Sequence, residues 1–287
     1  MNRKTHAILM VLSAALCFSL MNLFVRLSGD LPSIQKSFFR NVIALLFSLA
    51  VLLREGEGIH FRKQDMPLHF VRASFGTVGL LCNFYAVDHL VLSDASMLNK
   101  LSPFFAIIFS FFFLHERAKP VQIAALLAAF AGALCIIKPT FDLSAVFPYL
   151  IGTLGGLGAG AAYTAVRALG GRGVKGPLIV FFFSAFSCLV VLPGFVLDYH
   201  PMTAGQLLCL LCAGLAAAGG QFSITAAYSL APAKEISIYD YSQVIFSAIL
   251  GFFAFGQMPD GWSVLGYFVI CGASLGMFLW NQKHAEA

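Results

Sequence analysis

The sequence reads as an all-α polytopic membrane protein: ten transmembrane helices, built as two inverted five-helix repeats. Three observations lead there. Of the 287 residues 59% are hydrophobic and 11% charged, with a mean hydropathy of +0.85, where a soluble domain averages about 25% charged residues. Apolar runs of about 20 residues, the length that crosses a hydrocarbon core of about 30 Å, recur along nearly the whole chain. The chain also matches itself without a gap when shifted by 141 positions (167 minus 26). Alternating ten-residue strands, which would mark a membrane barrel, are not seen.

The first run, near 6–26, is too long for a signal-peptide core and lacks a small-residue cleavage site, so it reads as a retained helix. Asn22 and Arg26 share a face at its end, at i, i+4 spacing. The second run, near 35–53, carries Arg40 as its sixth residue, and the third, near 68–88, has Arg72 near its start and Asn83 and Tyr85 within. The fourth, near 93–114, holds Asn99 and Lys100; the lysine lies about seven residues, roughly 10 Å of helix, from its beginning. The fifth spans 118–138. In the sixth, near 148–168, Gly152, Gly156 and Gly160 form a G-x-x-x-G series that lets a neighbour come close, and Tyr163 and Arg167 end it as Asn22 and Arg26 end the first. The seventh runs near 174–197; the eighth, near 203–229, presents Gln221 and Thr225 on one face. The ninth, near 234–256, opens with Tyr239, Asp240, Tyr241 and Gln243, and the tenth covers 262–280.

Basic residues orient the spans. With a cytoplasmic N-terminus, the inner side collects Arg3, Lys4, Arg54, Arg62, Lys63, Arg72, Arg117, Lys119, Arg167, Arg172, Lys175, Lys234 and Lys283, 13 of the 18 Lys and Arg, which puts both termini in the cytoplasm. The formal charge of +5 is therefore topological and does not indicate nucleic-acid binding.

The self-match pairs Arg26 with Arg167, Gly79 with Gly220, Ser96 with Ser237, Phe105 with Phe246 and Leu134 with Leu275. Some agreement is expected between two Phe- and Leu-rich halves, so the polar pairs and the lack of gaps carry the weight. The halves are 1–141 and 142–287; five helices being odd, the second enters the membrane from the opposite side, the construction of secondary transporters.

Two stretches resemble a known family. "SDASMLNKLSPFFAIIFSFFFLHERAKP" within Ser93 to Pro139 is similar to the closing part of an EamA-type repeat of the drug/metabolite transporter superfamily, with a Ser- or Ala-rich helix start, a mid-helix proline and a glutamate, Glu116, in the short turn. "AYSLAPAKEISIYDYSQVIF", within Gly220 to Gly276, is similar to its second-repeat counterpart, with Gln257 in place of the glutamate. The resemblance covers essentially the whole chain and implies secondary-active transport through a cavity lined by the fourth and ninth helices. It leaves the substrate open.

Ionisable groups at membrane depth cost a few kcal/mol or more and default to a partner or a wet cavity. Lys100 is either a lysine snorkelling to the outer interface or a cavity cation. The shift maps Asn99 onto Asp240 and Lys100 onto Tyr241, so the two polar turns approach the midplane from opposite faces; Asp240 is a counter-ion of Lys100, a proton carrier, or a polar group near Lys234 and Glu235. Arg26 and Arg167 read as interfacial anchors or gates. Gln221 and Thr225 read substrate edges or tie helices. The candidate substrate-binding set is Asn22, Arg26, Arg40, Tyr85, Asn99, Lys100, Tyr163, Arg167, Gln221, Thr225, Tyr239, Asp240, Tyr241 and Gln243. Cations outnumber acids in it, which favours a small anionic or zwitterionic metabolite such as an amino acid, organic acid or nucleoside-type compound.

Enzymatic chemistry finds no support. "GASLG" (Gly272 to Gly276) fits a G-x-S-x-G pattern but lies inside the tenth span without an elbow or His and Asp partners. Cys209 and Cys212 have C-x-x-C spacing with no second pair, and the seven cysteines read as buried thiols with no metal or disulfide role. No nucleotide fingerprint or cofactor motif appears. The expectation is a transporter of the bacterial cytoplasmic membrane, coupled to protons or working by exchange, in contact with lipids; the alternative is a lipid or polyprenyl-phosphate flippase on the same scaffold.

Overall fold

A computed structural model of the chain describes residues 3–55, 59–90, 98–138, 146–256 and 258–283. Among these residues all regular structure is helical: α1 (Arg3–Leu27), α2 (Ser33–Glu55), α3 (Met66–His89), α4 (Ser102–Leu114), α5 (Pro120–Ile137), α6 (Val146–Gly171), α7 (Gly176–Leu197), α8 (Ala204–Leu230), α9 (Ser242–Phe255) and α10 (Gly261–Lys283). Ser93 to Met97, which open the expected fourth span, and Gln257 lie outside the described residues, as does the boundary between the two expected halves.

Local chemistry sets the helix ends. Proline occupies the first turn of α3, α4, α5 and α7, where its missing N–H costs nothing. Thr203 caps α8 reciprocally with Gln206, and Gly256, at φ +65°, closes α9 in the left-handed conformation that glycine adopts without strain. Asp260 caps α10 by accepting from the Ser263 N–H at 3.0 Å and also pairs with Lys138 at the end of α5. These donors, Lys138 first, hold its carboxyl down to about 2, so the tie persists at any physiological pH.

Among the described residues, seven helical segments are long and apolar enough to cross a membrane: α1, α2, α5, α7, α8, α10 and the run Ala233–Phe255 that contains α9. Of the other three, α3 and α6 have the length, and α6 is rich in glycine. Helix α4 is the shortest of the three at 13 residues, and Leu98 and Asn99, before the turn that leads into it, are helical as well. Large apolar side chains face outward, Phe113, Leu197, Phe253 and Phe268 among them, as a lipid-facing surface requires.

The interior is built from small residues that let helices touch. Helix α1 packs on α8 and α9, and α6 packs on α3 and α4; α2 meets α7 and α8, and α5 meets α10. Glycines of α6 serve two neighbours. A Cβ on Gly156 would stand 2.6 Å from the Leu98 carbonyl and one on Gly160 2.8 Å from the Ala106 nitrogen, whereas one on Gly158 would stand 2.8 Å from the Phe75 carbonyl of α3. The G-x-x-x-G face therefore seats α4 and the turn before it, and a second glycine face seats α3.

Candidate functional site

Both predicted polar turns are places where the helix is interrupted. Leu98 and Asn99 are helical and Lys100–Leu101 forms a turn that leads into α4, and Ser237–Tyr241 is a 3-10 segment between a short helical turn (Ala233–Ile236) and α9. Interrupted backbone at membrane depth needs protein partners. The two segments supply them to each other. Lys100 Nζ donates to Asp240 Oδ2 at 3.1 Å, to the Asp240 carbonyl at 3.3 Å and to Gln243 Oε1 at 2.6 Å, and the Tyr241 hydroxyl donates to the Lys100 carbonyl at 2.9 Å. Lys100 and Asp240 are each 6% exposed, so the lysine does not snorkel. An ammonium has three N–H bonds, and all three have acceptors here. Asp240 is the counter-ion of Lys100, and Asn99 beside it donates to Asn83 Oδ1 at 3.1 Å.

Arg40 and Arg72 are in a different position. Arg72, on α3, donates through Nη2 to Gln221 Oε1 at 3.1 Å and lies over the Phe183 ring at 4.1 Å, while its Nε has no partner. Arg40, on α2, is 7% exposed, and its Nε and Nη1 are buried without acceptors. Thr225, one turn beyond Gln221 on α8, is buried with an unpartnered hydroxyl. Tyr163 of α6 stacks on Tyr228 at 4.6 Å and lies within electrostatic range of Arg40, Arg72 and Asp240. Among the described residues neither arginine forms an ion pair with a carboxylate. A buried cation without a counter-charge costs several kcal/mol, which makes this interior, lined by α2, α3, α6 and α8, receptive to an anion.

The remaining candidates lie apart from these two arginines. Arg167 pairs with Glu116 at 3.0 Å and donates to the Ser229 carbonyl at 3.3 Å. This tie belongs to the face that carries the N-terminus, where Lys4–Glu235 (3.3 Å), Glu55–Lys175 (3.4 Å) and Asp65–Arg172 (3.2 Å) also join the first half of the chain to the second. Arg26 is exposed over the Phe255 ring at 4.3 Å, and Asn22 is exposed one turn before it. Tyr85 stacks on His89 at 3.9 Å. Tyr239 is buried with its hydroxyl unpartnered, and the Gln243 carbonyl accepts from Ser19 at 3.0 Å.

Arg72 is the residue that sequence reasoning left out of the candidate set, having counted it among the inner topological charges. Gly76 was its signal. A Cβ there would collide with Arg72 Nη1, so the glycine one turn on gives the guanidinium room to lie along α3.

Comparison with known proteins adds family and fold. The model of the EamA-like transporter family matches residues 5–138. The chain is 34% identical over 273 residues to a protein named pseudopaline exporter CntI of Pseudomonas aeruginosa, covering 94% of this chain and 95% of that one. It is 30% identical over 294 residues to a riboflavin transporter of Rhizobium johnstonii, covering 99% and 94%. A solved crystal structure superposes with a TM-score of 0.85 over 99% of both chains at 18% identity, a likeness of fold.

Proposed function

This chain belongs to the EamA-like transporter family, and we propose that it moves a small anionic or zwitterionic metabolite across the cytoplasmic membrane by alternating access, driven by protons or by exchange. The observation that carries the substrate charge is the pair Arg40 and Arg72, buried with unpaired N–H groups. The pseudopaline and riboflavin names belong to relatives 34% and 30% identical to this chain that differ in solute, so neither solute transfers to it by similarity alone.

Alternating access rests on reading residues 1–141 and 142–287 as inverted repeats, both termini cytoplasmic. Packing supports the repeat: exchanging halves converts the α1 contacts with α8 and α9 into the α6 contacts with α3 and α4. Gly79 abuts Ala159 and Gly220 abuts Phe18, positions related by the same shift of 141 (79 to 220, 18 to 159). Lys100 and Tyr241, also 141 apart, touch each other, as residues beside a two-fold axis do. Asn22, Arg26, Tyr85 and Arg167 then act along the path or at its gates, and Asp240, facing Lys100, is the group available to carry a proton.

Proteoliposomes offered a panel of labelled amino acids, organic acids and nucleoside-type metabolites, with and without a pH gradient, test the proposal. Saturable uptake of at least one anionic or zwitterionic solute is expected. Absence of any such flux together with headgroup-dependent lipid scrambling would establish the flippase instead.

A further inference from the structure

The charge balance of the interior fixes more than the sign of the cargo. Arg40, Arg72 and Lys100 bring three positive charges, and Asp240 brings one negative charge, spent on Lys100 through a 3.1 Å ion pair. Among the described residues neither guanidinium has a carboxylate partner, and both converge on α8: Arg72 bonds Gln221 of α8 at 3.1 Å, and α2, which carries Arg40, packs on the same helix. They come from different helices, α2 and α3, with Gln221 and Thr225 of α8 beside them, and every unpartnered polar atom named there (Arg40 Nε and Nη1, Arg72 Nε, Thr225 Oγ1) can donate a hydrogen bond. A zwitterion would bring an ammonium group that meets no free counter-charge in this set, since the Asp240 carboxylate is paired with Lys100 and the acceptors left, such as the Thr225 hydroxyl oxygen, are neutral. A monoanion would leave one guanidinium bare.

Building on the anion-transport reading above, we infer that the preferred cargo is a dianion, a small molecule with two negative charges supplied by two carboxylates or by one phosphate monoester, with Arg40 and Arg72 each neutralising one charge. Thr225 and Gln221 then set the orientation of the acid group at Arg72. The Lys100–Asp240 pair stays a protein–protein contact while the cargo is bound.

The test is binding by the purified full chain in detergent, read as thermal stabilisation, against three probe sets: dicarboxylates (succinate, malate, 2-oxoglutarate), phosphate monoesters (glycerol 3-phosphate, a nucleoside monophosphate) and singly charged or zwitterionic controls (acetate, lactate, alanine, glutamine). Stabilisation confined to the first two sets is expected, and which of the two responds identifies the acid. Arg40→Gln or Arg72→Gln is expected to weaken dianion binding tenfold or more while bringing a monoanion of the same skeleton within about threefold of it. Stabilisation by controls alone, or by no dianion, overturns the inference. Uptake of a zwitterion or monoanion in liposomes would do so too while leaving the transporter reading in place; absence of all solute flux would remove both. Since a variant that fails to fold would mimic lost binding, each is compared with wild type by size-exclusion profile, and Arg72→Lys, which keeps the charge, is expected to retain dianion preference. Equal loss in Arg72→Lys and Arg72→Gln overturns the charge argument.

Discussion

A guanidinium carries five N–H donors, and water satisfies them cheaply; an apolar interior does not. Arg72 finds one acceptor in Gln221 and a ring face in Phe183, and among the described residues no carboxylate pairs with Arg40 or Arg72, the chemical signature of the proposed site. A hydrogen bond to a charged group contributes about 1.5–3 kcal/mol, so Arg72→Gln is expected to cut uptake at subsaturating substrate by about tenfold or more, measured in liposomes with matched protein content. Lys100 belongs to a different class. Its ion pair with Asp240 is buried on both sides, and removing one partner of such a pair costs about 3–5 kcal/mol, so Lys100→Met is expected to unfold at clearly lower temperature, with part of the loss recovered in the double variant Lys100→Met/Asp240→Asn. Asp240→Asn is further expected to change the pH profile of uptake; an unchanged profile would confine Asp240 to a structural role. The sequence made Lys100, Asp240 and Arg40 legible because an ionisable residue in an apolar run stands out by itself. It did not distinguish paired from unpaired cations, since pairing depends on which helices meet, and it passed over Arg72 because its place near a span start satisfied a topological count.

At the scale of helices, the length of the apolar runs anticipated helical segments, seven of which, among the described residues, are long and apolar enough to cross a membrane. The expected 174–197, 203–229 and 262–280 correspond to α7 (Gly176–Leu197), α8 (Ala204–Leu230) and α10 (Gly261–Lys283). Interruptions were harder to see. Before α4 the break has a signal in Pro103, whose ring prevents the preceding turn from continuing as α-helix; before α9 no proline or glycine marks Ser237–Tyr241, which is held as a 3-10 segment by tertiary contacts such as Tyr241 with Lys100. Glycine spacing announced that α6 has a close neighbour, but not that it has two. Gly76 is the close-packed position that bears on Arg72. Gly76→Ala keeps every charge yet intrudes on Arg72 and Phe183, so it is expected to lower affinity for the transported anion severalfold with little change in maximal rate; an unaltered KM would show that Arg72 does not depend on that space.

For the whole molecule, four ion pairs between the halves close the face that carries the N-terminus, with Arg167–Glu116 the most enclosed on both sides: side-chain exposures are 22% and 17%. Exposed pairs contribute little on their own, but a pair that must break and re-form in each cycle sets the balance between conformations. Glu116→Arg is expected to reduce uptake, and the swap Glu116→Arg/Arg167→Glu to recover it; no recovery would mean the pair is not a gate. Binding of the cargo in the Arg40–Arg72 interior makes a sharp demand on counterflow of the labelled anion in liposomes containing wild type or Arg40→Gln/Arg72→Gln, both verified as folded. Saturable counterflow in wild type and its loss by about a hundredfold or more in the double variant is expected; equal counterflow in the two proteins would place the cargo elsewhere.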